Sequence, residues 1–150
     1  MIAKELERIY TNHPTADAIL NMKRQEALSR GIHVNFMCSD LKDMGLKDEE
    51  IIILLGNLLD NAVEAAEKCG SEGIIQVRIV REEHQLVITV KNPCAGQPCW
   101  EDGRIVTSKP DGENHGYGLT AIQDIVCRHD GSFVMKAEGD YVKATVLIPE

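Results

Sequence analysis

The run from Asp48 to about Cys69 constrains this chain more than any other stretch. It is long, and Leu55, Leu58, Leu59, Ala62 and Ala65 fall together on one side of a helix. A helix patterned this way draws most of its stability from laying the apolar face on other elements. Asp48 is expected to cap it, with Glu49 and Glu50 in the first turn, where negative charge suits the helix macrodipole.

The flanking segments supply partners for that face. Thr15 reads as the N-cap of an earlier helix reaching about Arg30, with Ala16, Ile19, Leu20, Ala27 and Leu28 apolar and Gly31 as its stop. Ile32 to Cys38 reads as a strand. Ile74 to Arg81 and Leu86 to Lys91 alternate as strands, joined by a turn at Glu82-Glu83-His84. Residues 93–115 lack periodicity and are rich in Gly, Pro and charge, so they read as a loop. A third helix is expected from about Tyr117 to His129. Two last strands, Phe133 to Ala137 and Tyr141 to Ile148, turn at Glu138-Gly139-Asp140. The order predicts an α/β (α+β) two-layer sandwich, a mixed five-stranded sheet covered on one face by three helices. A loop of that length inside a compact domain points to a functional lid, 93–115. Residues 1–11, with Leu6, Ile9 and Tyr10 apolar, read as a helical remnant broken at Asn12-His13-Pro14. The domain proper is therefore placed at 15–150, after a remnant at 1–14.

Charge and composition exclude several classes. A net charge of −8 argues against a nucleic-acid surface, which needs clustered Lys and Arg. No apolar run approaches the roughly 20 residues that span a bilayer, and the N-terminus lacks the core of a signal peptide, so a cytoplasmic location is expected. Cys38, Cys69, Cys94, Cys99 and Cys127 show no paired zinc spacing and read as reduced thiols.

Three features carry chemistry. Asn57 and Asn61 stand four apart in mid-helix, where asparagine is a poor former, and Glu64 extends their stripe along the rim of the apolar face. Neutral oxygens at a cleft edge suit Mg²⁺, which keeps several waters beside nucleotide phosphates; two solvated surface asparagines are an equal reading of this segment alone. His115-Gly116-Tyr117-Gly118-Leu119 lies where the loop is expected to become the third helix. Its glycines and the free N–H groups of a helix start could receive an anion, with Lys109 and His115 as added donors; a plain glycine-rich loop closure competes. Asn92, in Val90-Lys91-Asn92-Pro93, ends an apolar strand with both a donor and an acceptor, against a reading as simple turn chemistry before proline.

Taken in order, these three elements resemble the GHKL superfamily (gyrase, heat-shock chaperone, histidine kinase, MutL) and its Bergerat ATP-binding fold. Within it they resemble the catalytic domain of sensor histidine kinases, closest to receptors for bacterial quorum-sensing peptides. The resemblance runs from about Thr15 to Pro149. It implies ATP and Mg²⁺ as ligands, with Asn57 and Asn61 near the metal and phosphates. It implies Asn92 at the adenine amino group, where most members carry aspartate. Gly116 and Gly118 match the second glycine box, with Lys109, His115, Tyr117 and Leu119 beside it. Thr145 matches the hydroxyl that supports adenine recognition. Of the first glycine box only Gly96 is a loose candidate, and Thr107-Ser108-Lys109 resembles the polar motif before the lid in peptide-receptor kinases. ATP-hydrolysing members place a glutamate at the Asn57 position, and asparagine cannot take a proton from water.

The implied partners are an upstream dimerisation domain carrying the phosphoacceptor histidine, a sensor region and, indirectly, a response regulator. None of His13, His33, His84, His115 or His129 sits in the context expected of that acceptor. A fragment of a membrane-bound sensor, itself outside the membrane, is thus expected. Two alternatives compete: an anti-sigma-type protein serine kinase, and an adaptor that keeps the fold without nucleotide.

Overall fold

A computed structural model describes residues 8–70, 74–94, 100–101, 104–105 and 112–150, with backbone alone at 100–101, 104–105 and 112–117. The elements run α1 (Pro14–Ser29), β1 (Val34–Cys38), α2 (Asp48–Cys69), β2 (Ile75–Glu82), β3 (Gln85–Pro93), β4 (Trp100–Glu101), β5 (Arg104–Ile105), α3 (Gly112–Arg128), β6 (Ser132–Glu138) and β7 (Tyr141–Pro149). The main sheet has the order β1-β2-β3-β7-β6. Its β1–β2 pair is parallel and its other pairs are antiparallel. Three helices cover one face, as the sequence pattern predicts. The short β4–β5 hairpin forms a second sheet.

Helix α2 is the keel. It packs on β3 and touches both α1 and α3. Ile51, Leu54, Leu58 and Leu59 are buried against Ile79, Ile88 and Val90 of the sheet. Each fully buried side chain of this size contributes about 1.5–3 kcal/mol relative to exposure. Where α2 crosses α1, Gly56 lies beside Ile19 and Lys23, with room for a Cβ at van der Waals distance. A 2.8 Å pair between Lys23 Nζ and the Asp60 carboxylate ties the two helices.

Several boundaries depart from the pattern. Helix α1 starts at Pro14, with His13 as its N-cap: the ring Nδ1 accepts from the Ala16 amide at 3.3 Å. Proline at the first helical position needs no N–H partner, so the cap lies two residues upstream of Thr15. Residues 8–11 are not helical, and 1–7 lie outside the described residues. The Ile9 amide donates to Asn21 Oδ1, Asn21 Nδ2 donates back to the Ile9 carbonyl, and both the amide and the hydroxyl of Thr11 donate to Asp17 at 2.7 Å. The segment is therefore strapped across α1 by side chains that out-compete its own helical bonds.

Strand β3 runs two residues past the expected Lys91, bringing Asn92 inside the ladder opposite Val142. The β2–β3 turn is made by Glu83 and His84, both at positive φ, the two-residue geometry that matches strand twist. The stretch read as a lid, 93–115, contains the β4–β5 hairpin, and α3 begins at Gly112, five residues before Tyr117. Glycine costs a helix only about 1 kcal/mol each, and nothing between Gly112 and Leu119 forbids helical backbone. At the other end of α3, Gly131 is required by space: a Cβ there would overlap the Leu147 carbonyl oxygen of β7.

A buried carboxylate joins α2 to α3. Glu50 is 5% exposed. It accepts from the Lys47 amide at 3.0 Å and meets His129 Nε2 at 2.9 Å, with Arg128 at 3.6 Å. Lys47, not Asp48, is the N-cap residue, and since lysine has no acceptor, only this reciprocal half of a capping box forms. Burial pushes the Glu50 carboxyl up, but the Lys47 amide, the His129 ring and Arg128 together hold it below the ordinary glutamate value. The sign follows: stability from this site is fully present above the unfolded value of about 4.3 and is lost as pH falls through the lower folded value. Urea unfolding of Glu50→Gln at pH 7 should show a loss of about 2–3 kcal/mol. The gap to wild type should shrink as pH falls from 5 to 3, and a constant gap would show that the carboxylate charge is not responsible.

Candidate functional site

The amide stripe of α2 emerges where that helix meets α3. Asn57 and Asn61 are both half-buried, at the border of the apolar face that holds Leu54, Leu58 and Ala62. Asn57 Nδ2 donates to the Ile53 carbonyl one turn back at 2.7 Å. That bond satisfies an amide donor within α2 and turns Oδ1 away from the helix.

The oxygen points at Gly118. A Cβ built on Gly118 would lie 3.1 Å from Asn57 Oδ1 and 3.8 Å from Asn61 Oδ1. Both neutral oxygens thus lie beside Gly118, where the absence of a Cβ relieves a tight contact with Asn57 while Asn61 stands at ordinary van der Waals distance. Gly118 itself is buried. The asparagine pair and one glycine of the His115–Leu119 motif, separated by some sixty residues of chain, are brought together.

The rest of that motif is arranged differently from the sequence expectation. Gly116 and Gly118 lie inside α3, so the N–H groups left free at its start belong to Gly112–His115 rather than to Gly116–Leu119. Leu119 is half-buried. The side chains of His115 and Tyr117 and the whole of Lys109, Gly96 and Thr107-Ser108 lie outside the described residues.

Asn92 is 6% exposed on the helix-covered face of β3, in line with Leu86, Ile88 and Val90. Its Nδ2 donates to the Pro93 carbonyl at 3.1 Å. The buried neighbours on β7 are Val142, directly opposite, and Ala144, so one wall beside Asn92 is apolar and small.

Thr145 does not join Asn92. Along β7 the buried positions are Val142, Ala144, Val146 and Ile148, while Tyr141, Lys143, Thr145 and Leu147 alternate to the opposite face. Thr145 stands between Thr89 of β3 and Val134 of β6 on the side away from the helices. The sequence pattern already held this parity: Lys143 must face outward, and Thr145 is two residues on. Reading the same alternation would have found Val142 and Ala144 as the residues that flank Asn92.

The donor set fits a hydrated divalent cation. Asn57 Oδ1 and Asn61 Oδ1 are uncharged oxygens one turn apart on α2, hard donors of the kind Mg²⁺ accepts alongside a mostly aqueous shell. Among the described residues, no group of His, Cys, Asp and Glu offers an alternative metal site, and no helix is long and apolar enough to cross a membrane.

Comparison with known proteins bears on this arrangement. The family model described as GHKL domain matches residues 46–149. No curated protein is matched by the sequence. Among solved structures, the catalytic domain of histidine kinase ThkA is 22% identical, with 96% of each chain covered and a TM-score of 0.69. The Acinetobacter baumannii histidine kinase AdeS is 12% identical over 98% of this chain and 70% of that one, with a TM-score of 0.68. Full-length ShkA in complex with AMPPNP is 13% identical over 95% of this chain and 30% of its own, with a TM-score of 0.63. At these identities the likeness establishes a shared fold.

The contact at Gly118 is testable by a double-mutant cycle. Gly118→Ala in the native background should lower unfolding free energy by about 1 kcal/mol, because the anchored Asn57 amide must give way. In an Asn57→Ala background the same change should be neutral or stabilising, since alanine is the better helix former. Equal effects in both backgrounds would show that the two residues do not touch.

Proposed function

Because this chain belongs to the GHKL family, whose model matches residues 46–149, we propose that it binds ATP with Mg²⁺ and presents the γ-phosphoryl group to a histidine on a separate polypeptide segment. The observation that carries this reading is the placement of Asn57 Oδ1 and Asn61 Oδ1 beside Gly118. The shared fold with three histidine kinases, one of them described in complex with AMPPNP, supports it.

In this reading Asn57 and Asn61 hold the hydrated metal from α2, and the metal when bound neutralises phosphate charge. The start of α3, Gly112–His115, lies up the same helix from Gly118, and its free N–H groups and the positive end of the macrodipole favour an anion. Asn92 meets the adenine edge from the sheet. A neutral amide gives that contact a weaker bond than a carboxylate would. The apolar Val142 and Ala144 form a wall beside it, in place of the hydroxyl at Thr145. Residues 109 and 115–117 complete the site by resemblance alone.

Catalysis is then a matter of position and electrostatics. Asn57 cannot take a proton from water, so hydrolysis is not favoured. The acceptor belongs elsewhere: His13 caps α1, His33 lies between α1 and β1, His84 forms a hairpin turn, His115 falls within α3, and His129 is engaged by Glu50. Placement among the peptide-receptor kinases rests on the Thr107-Ser108-Lys109 likeness. An upstream dimerisation domain, a sensor in the membrane and a response regulator are its expected companions.

Thermal unfolding tests the reading directly. At 100 times Kd, Mg-ATP should add about 2.7 kcal/mol to wild type, and Asn61→Ala should abolish most of the shift. Label transferred to a supplied dimerisation domain should be lost in acid, as phosphohistidine is. Acid-stable phosphate would place the chain with the serine kinases, and no shift at millimolar Mg-ATP would leave an adaptor.

A further inference from the structure

The face of the sheet turned away from the helices carries charge that the nucleotide site does not use. Register sets Gln76, Lys91, Lys143 and Lys136 side by side on β2, β3, β7 and β6. Strands lie about 4.8 Å apart, so three lysines stand in a row about 10 Å long. One step along the strands, Arg78, Thr89, Thr145 and Val134 form the next row, and Val80, Val87 and Leu147 the one after.

Three lysines on directly opposed positions weaken a sheet, because like charges face each other with no gain. Protection of an open edge accounts for Lys136, since β6 is an edge strand. It does not account for Lys91 and Lys143, which sit on interior strands. Glu138, two along β6 from Lys136 on the same face, lies beside the row but, among the described residues, pairs with none of the three. Among the described residues none of the three makes an ion pair; Lys91 Nζ lies 4.9 Å over the Tyr141 ring, and the only acid near the second row, Glu82, is 3.8 Å from Arg78. All this stands on a chain of net charge −8.

We propose that this face docks an acidic helix of a partner protein, laid across the strands. Carboxylates at i, i+4 and i+8 recur on one face about every 5–6 Å. That repeat matches the strand spacing, so each turn of such a helix meets one lysine of the row. A helix is about 10 Å wide and also covers the hydroxyls of Thr89 and Thr145. The chemistry favours this partner over a bilayer or a nucleic acid. An extended anionic surface feels the whole acidic molecule, whereas a single helix meets the lysine row at contact distance.

Two alanine-based helical peptides of identical composition serve as probes, one with glutamates at i, i+4 and i+8, the other with them spread around the helix. Fluorescence anisotropy at low salt should show the striped peptide binding at least tenfold tighter. Lys143→Gln should remove that advantage, leave the Mg-ATP shift intact and raise the melting temperature by about 2 °C, as relief of repulsion on both sides requires. Lys91→Glu/Lys143→Glu should instead prefer a lysine-striped peptide. Equal binding of the two acidic peptides would overturn the proposal. So would a lower melting temperature in Lys143→Gln, tighter binding to phosphatidylserine vesicles than to the striped peptide, or a dimer of this chain that Lys143→Gln dissolves.

Discussion

The packing of α2 on β3 sets the position of everything else. A helix of 22 residues, with Ile51, Leu54, Leu58 and Leu59 buried, fixes which of its residues can face outward. Asn57 and Asn61 occupy the rim by that geometry, and α3 must then approach from the side they face. At the closest point of that approach stands Gly118, where a Cβ would press on Asn57 Oδ1 at 3.1 Å. Glu50 fastens the opposite ends of the same two helices through His129. The site is therefore a by-product of a core contact held at both ends.

The sheet separates two chemistries by parity. Its covered face holds Asn92 among aliphatic side chains, with Val142 and Ala144 beside it. Its open face holds the lysine row and the threonine pair. One residue of slip would exchange the two sets, so the hydrophobic alternation of β3 and β7 specifies both surfaces at once. Thr145 shows the consequence: a hydroxyl assigned to the nucleotide by likeness belongs, by alternation, to the other side.

The five long strands, the three helices and their order were legible because each carries a strong period, two for the strands and 3.6 for α2. Boundaries were less so where side chains compete with backbone. Asn21 and Asp17 draw residues 9 and 11 out of any helix, and no local pattern signals a bond twelve residues away. The start of α3 was hidden by Gly112, Gly116 and Gly118, which read as loop yet cost a helix little enough to be absorbed. Of the site, the asparagine spacing was visible in one dimension. Its meeting with Gly118 is a tertiary fact, available only once α2 and α3 share a layer.

The claim at the centre is that two amide oxygens on α2 face a metal-bound nucleotide beside α3. Paramagnetic broadening reads this at the atoms concerned. With Mn²⁺ in place of Mg²⁺ and a non-hydrolysable ATP analogue, the side-chain amide NMR signals of Asn57 and Asn61 should disappear, while that of Asn35, exposed on the edge strand β1, stays sharp. Signals from Asn57 and Asn61 that persist under saturating nucleotide would contradict the account.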